Sequence, residues 1–126
     1  MEGDAVPQVL FFLKHSTQQM EALGVDRSRI VVDPGIGFGK TVKQNFGLLA
    51  QQAELLELGY PLLAGWSRKS SLGAVTGLAA ELRTVPSVAA ALLAVERGAR
   101  IVRVHDVRET VQALAVWSAL QNDNGL

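Results

Sequence analysis

Residues 29–41 read RIVVDPGIGFGKT. The short apolar run Ile30 to Val32 is cut off by Asp33-Pro34-Gly35, and the residue before a proline is biased toward extended backbone, so this is a strand that ends in a turn. Two later stretches repeat the plan, YPLLAGWSRKSS at 60–71 and RIVRVHD at 100–106. Each runs apolar and finishes in a polar or charged cluster, the pattern of buried parallel strands whose carboxyl ends share a site. Asp33, Lys69, Arg103 and His105 would converge on one rim, around a polar and anionic small molecule.

Working outward, the segments between these strands carry helical spacing. Val6 to Leu23 has apolar residues at 6, 9, 10, 13, 20 and 23, and Gly24 supplies the stop. Phe46 to Leu58 is the next predicted helix, closed by Gly59 before Pro61 opens the strand Leu62 to Trp66. Gly73 to Arg83 reads as a loop with short helical pieces. Pro86 opens an alanine-rich helix to Arg97 that ends at Gly98. Ile101 to Val104 is the third strand, and Asp106 is placed to cap a last helix, Val107 to Leu120. The tail, Gln121 to Leu126, is expected to fray.

Helix and strand thus alternate through the chain, which implies right-handed crossovers and a parallel sheet of α/β type. Three parallel strands leave two open edges and much apolar surface, whereas a barrel closes its edges with about eight such units. The expectation is therefore a single incomplete domain over 1–126, with a feeding strand before residue 1.

Composition narrows the class. Hydrophobic residues make up 48% and charged residues 19%, which supports a core and excludes the disordered and membrane classes. Twelve basic residues balance twelve acidic ones with no basic stripe, so no nucleic-acid partner is expected. With no cysteine, no apolar run of membrane length and no signal-like start, the expected setting is the cytoplasm, without membrane contact.

The strand, GIGFGKT and helix succession invites comparison with the phosphate-binding loop of nucleotide hydrolases. That motif needs a glycine five positions before Gly39, where this chain has Pro34. The glycines could serve only to turn the backbone, Asp33 only to close an Asx turn, and Arg68 and Lys69 only to sit in solvent. Phe38, flanked by two glycines, lacks neighbours to bury it and is free to lie over a flat ligand. The last strand is harder to explain as plain structure. Ile101, Arg103 and His105 share one face and Val102 and Val104 the other, and an arginine is tolerated there at a mouth, paired with an anion.

DPGIGFGKT, AGWSRKSSLG and RIVRVHDV, in this order and spacing, closely resemble dihydropteroate synthase, a pterin-binding enzyme of folate synthesis and the target of sulfonamides. The resemblance runs from the first helix to Trp117. It implies the C-terminal portion of a (β/α)8 TIM barrel, about three of its eight βα units. The implied reaction joins p-aminobenzoate to 6-hydroxymethyl-7,8-dihydropterin diphosphate, releasing diphosphate and 7,8-dihydropteroate.

Carried onto this chain, the resemblance makes Asp33, Gly65, Lys69 and Arg103 the pterin-binding residues. Phe38, Lys69 and Ser70 would meet p-aminobenzoate, and Arg103 and His105 the diphosphate. Lys69, Arg103 and His105 would be catalytic, while Gly65 and Ser67 leave space and shape the turn. Opposite unit charges about 4 Å apart attract by about 4 kcal/mol at an intermediate effective dielectric, so one or two cations would stabilise a departing anion appreciably.

No metal ligand is expected within the chain. A magnesium ion is implied, held by residues of the missing N-terminal part. The intact protein would be a homodimer through its C-terminal helices, and this chain alone would be inactive. Trp66 departs from the family pattern and would either narrow the pocket or face the helices; the Thr84-Val85-Pro86 entry to its helix is also unusual. The alternatives are a non-catalytic pterin-binding or assembly fragment and a pterin-binding methyltransferase-type barrel, in which the SRKS and RVHD elements are not expected together. A sugar-phosphate barrel would also use cations at strand ends, but would not explain the carboxylate, phenylalanine and lysine set.

Overall fold

The computed structural model describes residues 3–122. Helix α1 spans Val6–Ala22, and its buried residues Val6, Val9, Leu13 and Thr17 form one inward stripe. Thr17 is tolerated there because its hydroxyl donates to the Leu13 carbonyl at 2.8 Å. Gly24 follows with φ of 95°, the left-handed geometry that ends a helix.

The three expected strands lie side by side in chain order, all parallel, but the regular ladder is short. Val32 forms a single bridge to Leu62. Strand β1, Leu63–Ala64, pairs with β2, Ile101–Val102, in the register Leu63 to Ile101 and Ala64 to Val102. The predicted strands Ile30 to Val32, Leu62 to Trp66 and Ile101 to Val104 are therefore longer than the ladder. Their ends turn into loops instead of continuing to pair, while their in-out alternation persists. Ile30, Val32, Leu62, Ala64 and Trp66 are buried, whereas Val31 and Ile101 are exposed.

Helix α2 spans Val42–Ala50, starting four residues before the predicted Phe46. Its start is a capping box: the Gln44 amide donates to the Thr41 hydroxyl at 3.1 Å, and the Thr41 amide to the Gln44 side chain at 2.9 Å. The predicted helix to Leu58 breaks after Ala50 into a 3-10 helix, Gln52–Leu58. Gln52 and Leu55 are buried in that segment and Leu58 packs on the core, a repeat of three that suits 3-10 geometry. The Gln52 side chain donates to the Ala94 carbonyl at 2.9 Å and so ties this segment to a part of the chain 42 residues on.

Helix α3, Ser70–Thr76, starts before the expected loop with short helical pieces at 73–83 and runs into it, and the 3-10 turn Ala80–Leu82 is a second short helical piece within it. Helix α4 is Thr84–Glu96, beginning two residues before Pro86. Proline is accommodated within a first turn because the amides there have no partner inside the helix. Helix α5, Val107–Asn122, takes in Gln121 and Asn122 of the expected frayed tail, and residues 123–126 lie outside the described residues. The hydrophobic core lies between the strands and the helices, with Leu48, Leu55 and Leu62 fully enclosed. Trp66 belongs to this core, its ring 5.0 Å from that of Phe46, so it faces the helices and does not narrow the rim. Among the described residues no helix is long and apolar enough to cross a membrane.

Candidate functional site

Alternation along the strands decides which side chains meet. Val32, Leu62, Ala64 and Trp66 turn toward the helices, so Gly65, Ser67, Arg103 and His105 fall on the opposite face. A pocket of about 260 Å3 opens there, lined by Phe38, Gly65, Ser67, Lys69, Arg103, Val104 and His105. Five of the seven candidate residues, Phe38, Gly65, Lys69, Arg103 and His105, are thereby brought together.

Asp33 and Ser70 stand apart from that lining. The Asp33 Oδ1 accepts the Gly35 amide at 2.8 Å, closing an Asx turn. Its charge still reaches the pocket, since it stabilises the protonated forms of both Lys69 and Lys40. Ser70 is exposed and is the first residue of α3.

Lys69 crosses from its own loop to the glycine loop, where its ammonium donates to the Ile36 carbonyl at 2.5 Å and lies 4.4 Å from the centre of the Phe38 ring. Burial holds this lysine below its ordinary value, and the positive charges of Arg103 and Lys40 add to that, against the pull of Asp33. Phe38 itself is 69% exposed, free of the core. Glycine is needed at 37 on two counts, its φ of 90° and the Lys69 Cδ that a Cβ would meet at 3.2 Å.

Several contacts that shape the site are silent in the sequence. Lys40 donates to the Gly35 and Phe38 carbonyls at 2.8 and 3.0 Å, and burial depresses its pKa. Asn45, buried in α2, accepts the Gly37 amide at 2.9 Å and donates to the Ser71 hydroxyl at 2.9 Å, joining the glycine loop to α3. Ser67 bonds His105 twice, with Oγ 2.8 Å from Nδ1 and 3.1 Å from the backbone amide that donates to it. Arg68, read as a solvated charge, pairs with Asp106 at 2.9 Å. Spacing along the chain carries no sign of partners 26 or 38 residues apart.

Chemically, the pocket presents an aromatic face, an ammonium, a guanidinium and an imidazole around one space, a set suited to a flat ligand bearing negative charge. A family model described as pterin binding enzyme matches residues 1–105, and the chain belongs to that family. The relatives it matches include dihydropteroate synthases. The one from Neisseria meningitidis serogroup C is 50% identical over 119 residues, covering 93% of this chain and 42% of the relative.

Among solved structures, the dihydropteroate synthase of Xanthomonas albilineans in complex with 7,8-dihydropteroate superposes with a TM-score of 0.94 at 49% identity, over 96% of this chain and 47% of that one. The same enzyme with 4-aminobenzoic acid gives 0.94 and 49%, over 96% and 45%. The chain spans less than half the length of the curated relatives it matches.

Proposed function

We propose that this chain supplies about three of the eight βα units of a dihydropteroate synthase barrel, its C-terminal portion. The intact enzyme would join p-aminobenzoate to 6-hydroxymethyl-7,8-dihydropterin diphosphate, giving 7,8-dihydropteroate and diphosphate. The observation that carries the reading is the meeting of Phe38, Lys69, Arg103 and His105 in one pocket, in a chain 49% identical to a synthase solved with 7,8-dihydropteroate. Support for barrel closure comes from the sheet. Its site face exposes Val31 and Ile101 at 46% and 42%, apolar surface that neighbouring units would cover.

In this reading Asp33 accepts hydrogen bonds from the donor edge of the pterin, a task for which a carboxylate is suited as an acceptor-only group. Lys69 donates to pterin acceptors and bounds the p-aminobenzoate site, with Phe38 against the benzoate ring and Ser70 near its carboxylate. Arg103 and His105 hold the diphosphate and stabilise it as it departs, while the weakly basic aniline attacks the pterin methylene. Gly65 keeps the strand end open, because any side chain there would collide with the Arg103 guanidinium.

Among the described residues no group of three or more His, Cys, Asp or Glu side chains could hold a metal ion. In this reading a magnesium ion on the diphosphate would take its protein ligand from another part of the barrel. The intact enzyme would pair through the outer faces of its last helices, where Val111, Val116 and Leu120 are exposed.

The test is protection of the assembled protein against heat. Pterin diphosphate and p-aminobenzoate together should raise its melting temperature and sugar phosphates should not, and the 126-residue chain alone should show no turnover. Equal protection by sugar phosphates would overturn the reading.

A further inference from the structure

His105 reaches the pocket already committed at one ring nitrogen. Its Nδ1 lies 2.8 Å from the Ser67 hydroxyl, and the same oxygen accepts the His105 backbone amide at 3.1 Å. A serine hydroxyl has one proton and two lone pairs, so with one lone pair taken by the amide, the proton needs an acceptor. Ser67 is 9% exposed, and among the described residues the only hydrogen-bond partner of its Oγ is His105. If Nδ1 carried the proton, Nδ1 and the amide would both donate to Oγ and the hydroxyl proton would be left buried without an acceptor.

We propose that Ser67 is a positioning residue that fixes the neutral form of His105 as the Nε2–H tautomer, so that the imidazole keeps Nε2–H as a proton donor for the pocket. Asp106, the neighbouring carboxylate, pairs with Arg68, accepting from Nη2 at 2.9 Å and from Nε at 3.4 Å, and among the described residues the Nδ1 of His105 has Ser67 as its partner.

The serine is held in place by its neighbour. Arg68 has φ of 57°, the only non-glycine in the left-handed region among the described residues. Three contacts hold it there. Its amide donates to Ser87 Oγ at 2.8 Å, its carbonyl accepts from Arg83 at 2.9 Å, and its guanidinium pairs with Asp106. This turn sends Ser67 toward His105 and Lys69 toward the glycine loop. The tautomer stands independently of the proposed function, which supplies only the expected ligand, diphosphate.

The experiment is a long-range proton–nitrogen correlation spectrum of the imidazoles in the full chain, labelled with 15N, under conditions where they are neutral. The chain has two histidines, and the exposed His15 serves as the internal reference. His105 should appear as pure Nε2–H, Ser67→Ala should give a mixture, and Ser67→Thr, which keeps a hydroxyl, should restore the native form. An Nδ1–H native form, or a Ser67→Ala spectrum unchanged from native, overturns the proposal. Inorganic diphosphate should then shift Nε2–H of His105 and leave His15 alone, with affinity lowered about tenfold in Ser67→Ala, the scale of one lost hydrogen bond. A correct tautomer with no response to diphosphate in the assembled protein supports the role of Ser67 and counts against the synthase reading.

Discussion

The guanidinium of Arg103 fills the space that a side chain at residue 65 would need: a Cβ on Gly65 would lie 2.7 Å from Arg103 Nη2. Gly65 does not have a positive φ, so glycine is required there for room and not for backbone freedom. Arg103 is exposed and can swing aside, so Gly65→Ala should cost little stability, within about 1 kcal/mol. The displaced guanidinium would lose its charge-assisted bonds to a bound anion, worth roughly 1.5–3 kcal/mol, or about ten- to a hundredfold in affinity. Calorimetric titration with diphosphate beside a denaturant melt checks both halves. A variant that melts early but binds normally would contradict the steric account.

Asn45 is 2% exposed and satisfies both the Gly37 amide and the Ser71 hydroxyl. Asn45→Ala should destabilise the chain by about 1–3 kcal/mol, because it removes two hydrogen bonds, one of them to the buried Ser71 hydroxyl. The Gly37 amide should also exchange with solvent faster while amides deep in α4 keep their protection, because the loop loses its tether before the core opens. Uniform acceleration across the chain would mean that Asn45 serves global stability and not the loop.

Lys69 is held below its ordinary value of 10.5 by burial first, then by Arg103. A lysine depressed in the folded state binds fewer protons there than when unfolded, so its contribution to stability rises with pH between the depressed value and 10.5. Below that window the cost of the desolvated ammonium is present in full. Lys69→Met should therefore gain on the native chain at neutral pH, and the gain should shrink as the solution becomes alkaline. An anionic ligand acts in the opposite sense and pulls a proton back onto Lys69. At a pH within that window, binding heats measured in buffers of different ionisation enthalpy should report proton uptake in the native chain and less in Lys69→Met.

Asp106 is held below its ordinary value of 3.8 chiefly by the hydrogen bond from Arg68. A depressed carboxylate lends stability that is present in full above 3.8 and is lost as pH falls through its lower folded value. Asp106→Asn should be less stable than the native chain at neutral pH and converge with it in acid. Denaturant melts across the acid range follow the difference, and a constant gap down to the lowest pH would rule out this ion pair as its source.

The distribution of apolar and polar residues made much of this protein legible. Gly24, Gly59 and Gly98 marked segment ends, and each has positive φ. The alternation Ile101, Arg103, His105 placed two charged residues on one face before any coordinates. The start of α2 was also readable, since Thr41 and Gln44 carry capping-box spacing, yet apolar periodicity alone pointed to Phe46. Such local signals act through bonds within one or two turns, so the order of residues contains them.

What the order of residues does not contain is which distant groups meet. Ser67 and His105, Asn45 and Ser71, and Gly65 and Arg103 are each brought together by parallel pairing and helix packing, across 38, 26 and about 38 residues. The same packing sent Trp66 into the core and turned Arg68 from a surface charge into a strained, three-way anchored turn. The sequence by itself determined the elements, their in-out faces and the family. Only the tertiary structure decided the contacts that orient His105, because hydrogen bonding and steric exclusion act over a few ångströms in space, wherever along the chain the partners lie.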